Sequence, residues 1–279
     1  MGLKILLQNI MHRQEMGIDS EIIWDGLERL AKKVVRPDTA VTLRHLEKDK
    51  GVPDSLNWPW PLTWPCTQPL REAAIVNSTL TAEEEGFDAV VIDCALDPGL
   101  RQARGFLDIP VAGAGESSLL VAQLLGRKFA IVSPSETSIA GLAENLHFLG
   151  FENRAIKHKP VRHFEIVFGL TDAFQGRPER LIEDFEKVAR ELIQDGADVI
   201  VNACGLSGPA LSLNDYAKIP GANVPVVDAT TAALKLAELL ADLHKSLGLK
   251  KTMLSTGFYQ TPPEEVLEEA RRRLKKALA

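Results

Sequence analysis

The chain has 279 residues, 45% of them hydrophobic and 25% charged, which is apolar material enough for one large or two smaller domains with ordinary cores. A formal net charge of −6 argues against nucleic acid or an anionic membrane surface as the main partner, although a helix N-terminus can still hold a small anion. No stretch approaches the roughly 18 apolar residues of a membrane-spanning helix, and the three cysteines are too few and too widely spaced for a disulfide framework or a zinc pattern.

From the N-terminus, residues 4–8 read as a strand, 20–35 as a helix entered through Asp19-Ser20, and 40–46 as a second strand. The opening Met-Gly-Leu-Lys-Ile-Leu-Leu-Gln-Asn is too short for a signal core and lacks a small-residue cleavage site. Regularity breaks over about 48–69, where Trp58-Pro59-Trp60-Pro61-Leu62-Thr63-Trp64-Pro65-Cys66 packs prolines too densely for a helix interior or a central strand. Trp58, Trp60 and Trp64 are expected either to pack on the body or a neighbouring subunit, or to form a lid that dries a cleft. Helices are predicted over 78–85, 117–125, 137–149 (behind Ser135), 178–194 and 230–247. Strands are predicted over 89–93, 109–112, 129–132, 163–168, 199–202 and 224–227. The tail opens a last helix at Thr261-Pro262-Pro263-Glu264-Glu265, with Val266, Ala270, Leu274 and Leu278 as its apolar stripe and a basic run to close it. Most strands are nearly continuous apolar runs, as in parallel sheets covered on both faces, and their alternation with helices gives a doubly wound α/β architecture.

One pattern is written twice. Gly86-Phe87-Asp88-Ala89-Val90-Val91-Ile92-Asp93-Cys94 is echoed by Gly196-Ala197-Asp198-Val199-Ile200-Val201-Asn202-Ala203-Cys204. Downstream, Ile109-Pro110-Val111 and Val224-Pro225-Val226 each lead into a helical stretch. Such a repeat predicts two similar halves. Ligands in these sheets bind beyond the carboxyl ends of the strands, a rule that gathers Asn9, Cys94, Gly113, Ser133, Cys204 and Asp228 onto site loops. Thiols at equivalent strand ends suggest two acid/base groups facing one cleft, as a reaction needs if a proton leaves one face of a carbon and returns to the other. The loop amides after each cysteine are expected to lower the thiol pKa and to hold an oxyanion. Asp93 and Asp97 flank Cys94; turn formation and helix capping explain them, with Asp97 able to orient a ligand N–H. Cys66 lacks such a context. Gly113-Ala114-Gly115 hints at a dinucleotide loop, but Ser118 stands where the third glycine belongs. His158 and His163 have no acidic or cysteine partner, and all six histidines read as surface or structural residues, so no metal is expected. Reduced thiols fit a cytoplasmic protein.

The stretch Cys94-Ala95-Leu96-Asp97-Pro98-Gly99-Leu100, with Ala103-Arg104 and then Pro110-Val111-Ala112-Gly113-Ala114-Gly115-Glu116-Ser117, resembles the Asp/Glu/hydantoin racemase family, in its hydantoin and allantoin racemase branch. Phe129-Ala130-Ile131-Val132-Ser133, Val199 to Gly205 and the segment after Val224 carry the likeness onward. The resemblance implies two doubly wound lobes related by pseudo-twofold duplication, with the active site in the cleft between them. Residues 1–113 with 227–279 would form the first lobe, and 114–226 the second. It implies an isomerase that needs no cofactor or metal, with Cys94 and Cys204 catalytic and Asn9, Ala95, Ser133, Gly205 and Leu206 binding a small-molecule substrate. A homo-oligomer is expected. The chain departs from the family in following Asn9 with Ile10-Met11, where Asn-Pro-Asn is common. Ala95-Leu96 and Gly205-Leu206 replace the Asn-Thr and Thr-His of amino-acid racemases, which favours a hydantoin-type or related cyclic amide. The alternatives are a decarboxylase or cis–trans isomerase on the same scaffold, for which one working thiol would be expected, and a non-enzymatic small-ligand binding protein.

Overall fold

The computed structural model describes residues 2–47, 66–166, 169–252, 254, 257–260 and 262–277. The first half runs β1 (Lys4–His12), α1 (Ser20–Val34), β2 (Ala40–Leu46), α2 (Gln68–Thr79), β3 (Ala89–Asp93), α3 (Leu100–Phe106), β4 (Val111–Gly113) and α4 (Ala114–Leu125). The second runs β5 (Phe129–Ser133), α5 (Ile139–Phe148), β6 (Val161–His163), α6 (Leu170–Phe174), α7 (Glu179–Gln194), β7 (Val199–Asn202), α8 (Ser207–Leu213), β8 (Lys218–Ile219), β9 (Val224–Asp228) and α9 (Ala229–Leu247); α10 (Glu264–Ala277) follows. The strands form two sheets, ordered β2-β1-β3-β4 and β6-β5-β7-β9-β8, parallel throughout except for the short β8.

The two sheets repeat one register. Ile5 stands opposite Ala89 in the first and Phe129 opposite Val199 in the second, and Ala89 and Val199 hold the same offset from Cys94 and Cys204. Val90 opposite Val111 is matched by Ile200 opposite Val226. The duplication is therefore residue for residue along the strands. It makes Asn9 the counterpart of Ser133 and Gly113 the counterpart of Asp228, and brings both cysteines out at the same corner of their sheets. This is the α/β fold of two similar parallel-sheet lobes.

Burial follows from the sequence. Every residue of β3, β5 and β7 is buried, as central parallel strands with helices on both faces require. Helix α7 buries Leu181, Phe185, Ala189 and Leu192, one stripe at helical spacing, and Phe185 meets Phe164 and Tyr216 edge-to-face. Between the sheets, α1 packs on α6 and α8, and α4 on α9. Gly26 of α1 lies directly against the ring of Phe174, and Arg29 donates to the Phe174 carbonyl at 2.6 Å.

Several predicted elements need correction. The helix expected over 78–85 lies earlier: α2 ends at Thr79, whose hydroxyl donates to the Val76 carbonyl, and turns continue to Gly86, which takes φ 79°. The last part of the irregular stretch, from Gln68, is already helix, because Pro69 falls in the first turn where its missing N–H costs nothing. The strand expected over 163–168 is Val161–His163: pairing with β5 stops at Ser133, and Phe164 and Ile166 are buried without being strand. In α10 Leu267 is buried and Val266 half exposed, one position off the expected stripe. Trp58, Trp60, Trp64 and Leu278 lie outside the described residues.

Candidate active site

A cleft opens at the carboxyl ends of β1, β3 and β7, bounded also by the loop that follows β5. Of the residues expected at the site, Asn9, Cys94, Ala95, Cys204, Gly205 and Leu206 all line it. Ser133 does not. It is fully buried, and its hydroxyl donates to the Ser135 carbonyl at 2.9 Å; the wall there is made by Pro134, Ser135 and Ser138.

The Cys94 loop is held from below. Asp97 takes φ 51°, and its carboxyl accepts from the Gly115 and Glu116 amides at 2.8 and 2.7 Å, capping α4. A side chain at Gly113 would meet Asp97 Oδ1 at 2.4 Å, and one at Gly115 would meet the Ala95 carbonyl at 2.2 Å. Those glycines exist for the close approach of the cysteine loop. With Asp97 seated on the helix N-terminus, a dinucleotide phosphate has no place there. The second sheet solves the same junction from the other side: Asp228 on β9 caps α9 through the Thr230 amide at 3.0 Å, and Gly208, in the first turn of α8 just after the Cys204 loop, gives it room. Asp97 is thus a cap, and both its oxygens are engaged.

Around Cys204 the amides of Leu206 and Ser207 point at the sulfur, each at 3.4 Å. The Leu96 amide does the same for Cys94. The expectation that such amides lower the thiol pKa fails in the net: burial pushes both thiols up, and the amides offset only part of it. Near Cys94, the charges of Asp97 and Asp93 and the second thiol push further the same way.

Sequence reasoning missed much of the remaining wall. Arg71 and Glu15 form an ion pair at 3.1 Å with side chains only 4% and 1% exposed, and Arg71 also donates to the Ile10 carbonyl at 2.8 Å. Asp93, read as turn chemistry, is buried at the cleft with its carboxyl pushed up to about 7, chiefly by burial. Ser135 and Ser138 stand hydroxyl to hydroxyl at 2.8 Å. Cys66, His158 and His163 are exposed. Among the described residues no cluster of three His, Cys, Asp or Glu could hold a metal, and no helix is long and apolar enough to cross a membrane.

Two parallel-sheet lobes thus carry a cysteine at each matching strand end, and both cysteines line one cleft. Residues 20–237 match the family described as Asp/Glu/Hydantoin racemase, and the chain belongs to that family. It is similar to a hydantoin racemase of Pseudomonas sp. (strain NS671), 30% identical over 228 residues, covering 81% of this chain and 84% of that one. Among solved structures it is similar to allantoin racemase from Klebsiella pneumoniae, with a TM-score of 0.70, 23% identity and 94% of each chain covered. It also shares its fold with a mutant of arylmalonate decarboxylase in the liganded form, with a TM-score of 0.55, 15% identity and coverage of 86% of this chain and 92% of that one. The chain is accordingly an isomerase, a member of a family of racemases.

Proposed function

We propose that the chain racemises a hydantoin-type or related cyclic amide by a two-base mechanism, with Cys94 and Cys204 on opposite faces of the substrate carbon. One observation carries this: the duplicated register brings both sulfurs to equivalent strand ends that line the same cleft. One cysteine, as thiolate, takes the proton from the carbon next to the ring carbonyl, and the C–H electron pair passes into an enolate. Amides after each cysteine, at Ala95, Gly205 and Leu206, can hold the developing oxyanion. The other thiol gives its S–H proton to the opposite face, and the two sulfurs exchange roles. Asn9 and the hydroxyls of Ser135 and Ser138 supply polar contacts in an otherwise mostly apolar wall, which suits a small flat ring with few polar atoms.

The lobe division at 1–113 with 227–279 and 114–226 belongs to the same reading; it is supported by α9 packing on β3 and β4 of the first sheet. A cytoplasmic setting agrees with three free cysteines.

The test is incubation of the purified protein with single enantiomers of a panel of 5-substituted hydantoins and allantoin in deuterated water. Loss of optical activity together with deuterium at the stereocentre is expected, unchanged by EDTA. Binding without exchange would sink the racemase mechanism, and release of carbon dioxide from a malonate-type acid without racemisation would favour decarboxylation.

A further inference from the structure

The proposed chemistry needs one thiolate, yet burial holds both thiols in their protonated form. Among the described residues no lysine lines the cleft, and its arginine, Arg71, is engaged by Glu15 and the Ile10 carbonyl. Something else must accept a thiol proton.

Asp93 lies near enough to both sulfurs for its charge to act on each. It immediately precedes Cys94, and its carboxyl lies against Gly205, the residue after Cys204: a side chain built on Gly205 would meet Asp93 Oδ1 at 3.0 Å. Oδ1 accepts from the Thr230 hydroxyl at 2.6 Å. Oδ2 is buried, belongs to a residue of the cleft wall, and has no hydrogen-bond partner among the described residues. A buried carboxylate oxygen left unpaired is costly and calls for a role. The duplicated lobe has Ala203 at this position, so the carboxyl breaks the pseudo-twofold symmetry of the site.

We infer that Asp93 readies the thiols: its Oδ2 takes the S–H proton of one cysteine, so that the substrate meets one thiolate and one thiol. The inference rests on the two-thiol reading above. In the step an S–H bond breaks and an O–H bond forms; the sulfur keeps the electron pair, and the cluster carries one negative charge before and after. The thiolate then takes the carbon-bound proton, the other thiol gives its own, and Asp93 stays protonated throughout. It is a positioning residue, acting on the substrate through sulfur.

The groups around Asp93 suit this part. Cys94 and Asp97 lie on its own loop, Cys204 lies across the cleft, Asp228 stands at the N-cap of α9, and the Arg71–Glu15 pair occupies another part of the wall. Burial and the Asp228 charge hold the Asp93 carboxyl up at about 7, against the Thr230 hydrogen bond. A carboxyl raised this far takes a thiol's proton at a smaller cost than one at its ordinary value of about 4.

Iodoacetamide alkylation of Cys94, followed by peptide mass spectrometry from about pH 5.5 to 10, reads the thiolate without substrate. In the wild type its rate should rise through about pH 7. In Asp93→Asn the rise should move up by about two pH units, alkylation at pH 7 should slow about 100-fold, and any racemisation should recover at alkaline pH. A spectator carboxylate predicts the reverse, since losing its charge would lower the thiol pKa, so an unmoved or downward midpoint overturns the inference. Thr230→Val leaves the base in place but removes its hydroxyl partner, and should move the wild-type midpoint modestly upward. If Asp93→Asn does not fold, this variant decides, and an unmoved midpoint again overturns the role. An upward shift in a protein that racemises no hydantoin would uphold Asp93 while refuting the substrate reading.

Discussion

Replacing either sulfur should disable inversion while leaving the other half of the proton traffic open. Cys94→Ser and Cys204→Ser are each expected to lower racemisation by at least about three orders of magnitude, the range for loss of an essential acid/base group. One of them should still exchange the proton of a single enantiomer with deuterated water, because abstraction needs only the near base. Chiral chromatography and NMR on the same samples read both, and near-wild-type inversion in either variant would refute the two-base mechanism. The cysteines were legible because the chain repeats their context. Arg71, Ser135 and Ser138 were not, since each arrives from another segment with no motif of its own. Asp93 was visible as a flanking residue, but its environment depends on Thr230, distant in sequence and supplied by α9. The sign of the thiol pKa was misjudged for the same reason: the amides are local and readable, whereas the burial that outweighs them is tertiary. Burial also gives a pH-dependent stability. Asp93 and Asp97 are held at about 7 in the folded chain, above their ordinary 3.8, so their contribution is full below about pH 4 and is lost as pH rises through 7. The thermal midpoint of the wild type should therefore fall between about pH 4 and 7, and Asp93→Asn should flatten that fall by on the order of 5 °C. Parallel curves for the two proteins would mean that Asp93 titrates alike folded and unfolded.

At the scale of elements, the junction between the Cys94 loop and α4 fixes where the first sulfur sits. Gly115→Ala would drive a methyl group to 2.2 Å from the Ala95 carbonyl, backbone that cannot rotate away. The loop must move, at a cost of about 1–3 kcal/mol in stability. Because the displaced segment carries Cys94, kcat should fall at least about tenfold, more than a stability loss alone explains in a protein still folded at the assay temperature. A variant with a lowered thermal midpoint but wild-type kcat would show the loop to be more tolerant than the packing suggests. The apolar runs of β3, β5 and β7 could be read directly, because a strand buried on both faces has to be apolar throughout. Short helices such as α3, α6 and α8 could not. Each has five to seven residues, too few for a periodic pattern, and is shaped by what it packs against. Helix α2 was hidden because its first turn continues a proline-rich run.

The whole molecule depends on the seam that holds one lobe against the other, since a cleft shared by two sheets is only as well formed as their relative position. Helix α1, against α6 and α8, carries one part of that seam, and α4 against α9 carries the other. Lys33 reaches the Ser212 carbonyl and the Asp215 carboxylate at 3.0 and 2.6 Å, and Arg29 holds the Phe174 carbonyl. Three residues before Arg29, Gly26 lets the helix approach Phe174, a ring with no exposed surface; a methyl group there would stand 2.1 Å from its Cδ1. Helix α6 is only Leu170–Phe174 and is pinned at its far end by Gly169 at φ 96°, so the ring has little freedom to retreat. Gly26→Ala should therefore be absorbed by the seam, shifting α6 and α8 away from α1. The expected cost is about 1–3 kcal/mol. Because α8 begins directly after the Cys204 loop, the shift should also separate the two sulfurs, raising KM for a hydantoin and lowering kcat together. Gly105→Ala, where nothing lies within 4 Å, is the matched control and should leave both constants alone. If Gly26→Ala lowers the thermal midpoint but leaves KM and kcat at wild-type values, the cleft is set within each lobe and the seam only holds the lobes together.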